Sequence, residues 1–83
     1  MKSIQCNNKD YIPTIQWFLE NVLEIKEYDI KVKFCYLIAD AEGRMLDGEF
    51  APPNEIFISQ DLKHCEVIST LFRELRRFNP TAR

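Results

Sequence analysis

The sequence predicts a two-layer α+β domain, in which two helices cover one face of a small sheet in the order helix, strand, strand, strand, helix. Three observations carry that expectation. Apolar residues recur at helical spacing towards both ends of the chain. They alternate at a period of two in its middle, and Pro- or Gly-bearing segments punctuate the alternating runs. With 83 residues, 46% apolar and 29% charged, the composition suits one core and neither two cores nor disorder. Residues 1–9 read as a lead, 10–79 as the core of the single domain and 80–83 as a tail.

The first helix is expected from about Tyr11 to about Ile25, with Asp10 as its cap, Pro13 in its first turn and an apolar stripe of Ile15, Phe18, Leu19, Val22 and Leu23. Ile30, Val32, Phe34, Tyr36 and Ile38 then share one face of a strand whose other face holds Lys31, Lys33, Cys35 and Leu37. Asp40-Ala41-Glu42-Gly43 reads as a turn, so Arg44–Phe50 is expected to return antiparallel, with a bend at Gly48. Ala51-Pro52-Pro53-Asn54 reads as an extended connection, and Glu55–Ser59 as a third strand with Ile56 and Ile58 on one face. Ser59 or Asp61 is expected to open the last helix, whose stripe is Cys65, Ile68, Leu71, Phe72, Leu75 and Phe78 and which Asn79-Pro80 ends.

Net charge is −2 and unevenly spread, with six Lys/Arg against ten Asp/Glu in residues 1–60 and five against three in residues 61–83. An acidic body speaks against broad nucleic-acid binding, while the basic end suits an acidic partner. The first eight residues hold no apolar run of secretory type and nothing reaches membrane-spanning length, which predicts a cytoplasmic protein without membrane contact. Three cysteines without Cys-x-x-Cys spacing suit free thiols, with Cys35 and Cys65 expected buried or half-buried. His64, near the start of the last helix, reads as a packed or half-exposed neutral histidine. Trp17, at the edge of the first helix's stripe, reads as a core flank or an exposed anchor.

Arg73-Glu74-Leu75-Arg76-Arg77 keeps the frame of a His-Glu-x-x-His helix with arginine at both histidine places. With the strand Ile56-Phe57-Ile58-Ser59 before it and Thr70-Leu71-Phe72 leading in, this stretch resembles the metal helix of zincin metallopeptidases, including the SprT-like group, over residues 10–79. The resemblance implies a minimal zincin-like fold, in which the sheet and first helix support the last helix and a sheet edge aligns an extended peptide. It places Arg73 and Arg77 in the seats of the two ligands and Glu74 in that of the general base. A cation cannot ligate a cation, and residues 78–83 hold no His, Asp, Glu or Cys for a third ligand, so no metal, cofactor or catalytic residue is expected.

On a helical wheel Glu66, Thr70, Arg73 and Arg77 lie opposite Ile68, Leu71 and Leu75, with Glu74 and Arg76 flanking them. Glu74 and Arg77, three apart, form a surface pair in the plainest reading, and arginines suit a helix's last turns. Arg73 nevertheless repels both Arg76 and Arg77, and guanidinium forks recognise carboxylates, so Thr70, Arg73, Glu74, Arg76 and Arg77 form the candidate binding surface. The expected function is a non-catalytic protein-interaction module, a pseudo-metallopeptidase of inhibitor or adaptor type. Its partner is a protein with an acidic patch or extended segment, bound by the arginine helix, the sheet edge or both. The alternatives are nucleic-acid binding through Lys63, Arg73, Arg76, Arg77 and Arg83, and a residual metallopeptidase.

Overall fold

The computed structural model describes residues 2–36 and 46–78. They form a small compact α+β domain with two helices and a four-stranded mixed sheet. The chain order is β1 (Lys2–Cys6), a 3-10 turn (Lys9–Tyr11), α1 (Ile12–Trp17) continuing as a π-helical turn (Phe18–Val22), β2 (Tyr28–Cys35), β3 (Gly48–Ala51), β4 (Glu55–Ser59) and α2 (His64–Phe78). The order thus begins with a strand rather than a helix. In the sheet the strands run β1-β2-β4-β3, with β1, β2 and β4 parallel and β3 antiparallel to β4.

β2 holds the centre because it alternates so cleanly. Tyr28, Ile30, Val32 and Phe34 are buried, and Asp29, Lys31 and Lys33 face out. The strand ends sooner than its alternation suggests, for Tyr36 lies beyond it and is exposed, while Ile38 and Leu37 lie outside the described residues. β1 replaces the expected lead. It has only Ile4 and Cys6 to turn towards the core, beside Ile30 and Val32, and it sits at the sheet edge. Asn7 extends its pairing by side chain, Oδ1 accepting from the Phe34 N–H at 2.7 Å and Nδ2 donating to the Phe34 carbonyl at 2.8 Å.

The return strand also pairs differently from expectation. β3 bonds to β4, not to β2, so β2 takes β4 as a parallel neighbour and gains a fully apolar core face in Ile56 and Ile58. The turn expected at 40–43 lies outside the described residues. Pro52, Pro53 and Asn54 make the tight reversal between β3 and β4 instead of an extended connection. Asn54 ties that reversal to β2, accepting from the Lys31 N–H and donating its Nδ2 to the Asp29 carbonyl.

The core lies between the sheet and one helical layer, where Ile15, Phe18 and Leu19 meet Val67, Leu71 and Leu75 over Ile30, Ile56 and Ile58. Phe18 and Phe72 stack at 4.1 Å between centroids and join the helices. Helix 1 follows its expected stripe at Ile15, Phe18 and Leu19 and, half-buried against the core, at Leu23, but not at Val22. The Leu23 N–H bonds to the Phe18 carbonyl, five residues back, and the extra residue in the turn rotates Val22 out to 41% exposure. Asn8 rather than Asp10 supplies the first cap, accepting from the Asp10 N–H. The opposite sheet face carries Asp29, Lys31, Lys33, Glu49 and Glu55 and has no layer over it among the described residues. No helix among those residues is long and apolar enough to cross a membrane.

Candidate functional site

α2 begins at His64, later than Ser59 or Asp61, because Ser59 Oγ instead accepts the Asp61 N–H in a turn. Lys63 then opens the helix: its carbonyl accepts from Val67 N–H, and its own N–H is taken by Glu66 Oε1 at 3.0 Å, one half of a capping box. The buried face is Val67, Thr70, Leu71, Glu74 and Leu75. This corrects the expected phase. Cys65 is exposed, Ile68 and Phe72 are half-buried along the α1 side, and Thr70 and Glu74 turn inward rather than to solvent.

The cause is β3. Gly48 lies beneath this part of α2, and a Cβ there would meet Thr70 Cγ2 at 2.7 Å and Glu74 Cγ at 3.3 Å. The missing side chain lets the helix settle onto the edge strand, carrying Thr70 and Glu74 into the interface. Glu74 is 2% exposed. Arg73 Nε donates to its Oε2 at 3.3 Å, and Arg77 Nε stands 3.6 Å from Oε1, which has no hydrogen-bond partner among the described residues. Both arginine side chains stay largely in solvent, at 56% and 64% exposure.

At ~100° per residue, Thr70, Arg77, Glu66 and Arg73 lie on one flank of α2, and Leu75, Ile68 and Phe72 on the other. The second flank meets α1 through Phe72. The first therefore overhangs β3, the sheet's outer edge. Of the five expected binding residues, the structure brings together Thr70, Arg73, Glu74 and Arg77. Arg76 leaves the group, its guanidinium lying 5.5 Å from the Phe18 ring centroid in a cation–π contact.

Other chemistry-bearing residues gather elsewhere. His64 is exposed, its Nδ1 2.9 Å from Tyr11 Oη and its ring stacked on Tyr11. Neither the Asn7 clasp nor the Tyr11–His64 contact has a signal in the sequence, since both depend on segments far apart in the chain. A shallow polar crevice lined by Asn7, Asn8, Tyr11, Phe34 and Gln60 opens where β1, β2 and β4 end. Trp17 is 53% exposed and leans on Phe72, so one side of its ring flanks the core and the other faces solvent. Cys6, half-buried, has its thiol pushed up by burial. Among the described residues no three His, Cys, Asp or Glu side chains converge in a way that would hold a metal ion.

No protein-family model matches the chain, nor does any curated protein or solved structure.

Proposed function

We propose that this domain is a non-catalytic protein-interaction module on a degenerate zincin-like scaffold, an inhibitor or adaptor that captures a partner through the arginine flank of α2, the sheet edge beside it, or both. One observation carries the reading. The buried Glu74 carboxylate draws the Nε atoms of Arg73 and Arg77 towards itself, while both guanidiniums remain mostly exposed. Held at Nε, each guanidinium keeps its terminal amino groups for an incoming acceptor, and two such forks side by side suit a carboxylate.

Stability alone gives a weak account of this cluster. Desolvating a carboxylate costs several kcal/mol, which two mostly exposed arginines offset only in part. An apolar residue at position 74 would pack against Gly48 and Thr70 without that cost. The placement also supports the resemblance in one respect: the helix bearing the degenerate motif lies on the sheet and against the first helix, beside a strand that has a neighbour on one side only among the described residues. With arginine in both ligand seats, hydrolysis by a helix-bound metal has no ligands there.

The test is affinity capture with the wild-type chain and with Arg73→Glu/Arg77→Glu from cells that produce the protein, followed by titration of the purified partner. Loss of binding by tenfold or more, with the melting temperature held within a few degrees, is the expected result. Equal binding by the two proteins overturns capture through the arginine flank, and no partner captured by either protein overturns the reading as a whole.

A further inference from the structure

We infer that the partner is an extended segment that adds as a strand to the β3 edge, with acidic side chains on its helix-facing side where Arg73 and Arg77 hold them. This rests on the interaction reading above and specifies its ligand.

The first support is backbone parity. The Ser59 N–H bonds to the Asp47 carbonyl at 2.8 Å, so Asp47 and Ser59 are a bonded antiparallel pair. The register pairs Gly48 with Ile58 and Glu49 with Phe57. Bonded and non-bonded pairs alternate, hence Glu49 and Ala51 bond to β4, while Gly48 and Phe50 direct their N–H and C=O groups away from the sheet. β3 thus offers two donors and two acceptors in the plane of the sheet, the requirement for strand addition.

The second support is charge on the two sides of that plane. Gly48 and Phe50 share the core face with Ile58 and Ile56, so alternate residues of an added strand would lie beneath the overhanging flank of α2. There they meet Arg73 and Arg77, tethered through Glu74, whose Cγ stands 3.3 Å from the place of a Gly48 Cβ. The intervening residues lie on the open face beside the exposed Glu49, which repels a carboxylate. The edge therefore selects acidic residues at alternate positions and disfavours adjacent ones. A helical or globular acidic partner would use the arginines and leave the Gly48 and Phe50 amides untouched.

Two acetylated and amidated eight-residue peptides of identical Thr/Val/Glu composition test this, one with two glutamates at alternate positions and one with the two adjacent. They are titrated into the isotopically labelled 83-residue chain while backbone amides are followed by NMR. The alternating peptide is expected to shift the Gly48 and Phe50 amides and to bind about fivefold more tightly than the adjacent one. Arg73→Glu/Arg77→Glu removes that binding. Glu49→Lys, an exposed change that leaves the β4 ladder intact, brings the two peptides to within about twofold, because the second carboxylate now meets an ammonium. Equal affinities for wild type, undisturbed Gly48 and Phe50 amides, or no binding of either peptide overturns strand addition. Partner capture that still depends on Arg73 and Arg77 would then leave the broader interaction reading standing, so the two failures are distinct.

Discussion

Gly48 lies so close beneath Thr70 that a methyl group on it would stand 2.7 Å from Thr70 Cγ2. This approach fixes how far α2 reaches over the edge strand, and so where the arginine flank sits. Gly48→Ala is expected to destabilise the domain by about 1–3 kcal/mol through overpacking. Thr70→Ser removes the opposing methyl, and the double variant should recover part of the loss. Chemical denaturation of the two single variants and the double variant measures the coupling, and strict additivity would mean that the two sites do not meet.

Glu74→Leu separates stability from recognition. Removing the carboxylate leaves Arg73 and Arg77 without a partner, yet both are largely in solvent and no buried charge is stranded. The variant is expected to be as stable as wild type or more stable by up to about 2 kcal/mol, while partner capture weakens because the guanidiniums lose their tether. Denaturant melts and the capture assay read the two effects. A loss of more than about 3 kcal/mol would show that the carboxylate fastens the helix to the sheet.

The sequence made part of this arrangement legible. β2 and β4 were readable because alternation with a buried face has one interpretation, and the Glu74–Arg77 pairing followed from a spacing of three on a helix. β1 was not readable, since two half-buried residues at a sheet edge leave almost no pattern. The partner of β3 is not legible in the sequence because a local hairpin rule selects the preceding strand, whereas the hairpin here is made with the following one across Pro52-Pro53-Asn54. The phase of α2 departs from its apolar stripe for a related reason: Phe72 is apolar because it stacks on Phe18, and Thr70 and Glu74 go inside because Gly48 makes room. Neither neighbour is visible without the fold.

Tyr28 ties α1 to the sheet and gives a pH signature. Its hydroxyl donates to Glu20 Oε2 at 2.6 Å, and Lys2 Nζ stands 3.5 Å from the same oxygen. Burial, and then the Glu20 carboxylate, pushes the phenol up to about 12 from an ordinary 10.0. Hydrogen bonds from Tyr28 and Gln16 hold the Glu20 carboxyl below its usual range. A group raised in the folded state contributes stability that is complete below its unfolded value and lost as pH climbs through its folded value. The Tyr28 contribution therefore fades between about pH 10 and 12, while that of Glu20 is present above about pH 4.5 and fades on acidification. Ultraviolet titration of the three tyrosines should show one ionising late, and Tyr28→Phe should abolish that late step. A wild-type titration without that late step would refute the contact.

Glu24 has a φ of 54°, the left-handed region that costs a residue with a Cβ about 1 kcal/mol, and it follows the Leu23 cap where a helix terminates. The Ile25 N–H reaches back to the Leu19 carbonyl at 2.9 Å, so the reversed conformation at Glu24 is what returns the chain towards β2. The side chain is exposed, and replacing it removes no core contact. Glu24→Gly relieves the steric cost in the folded state but adds freedom to the unfolded one, and at a left-handed position the first effect wins. The variant is expected to gain about 0.5–1 kcal/mol in denaturant unfolding, with an unchanged slope. Glu24→Val, β-branched and intolerant of positive φ, should lose at least as much, and a gain from valine would show that the left-handed turn is not kept in solution.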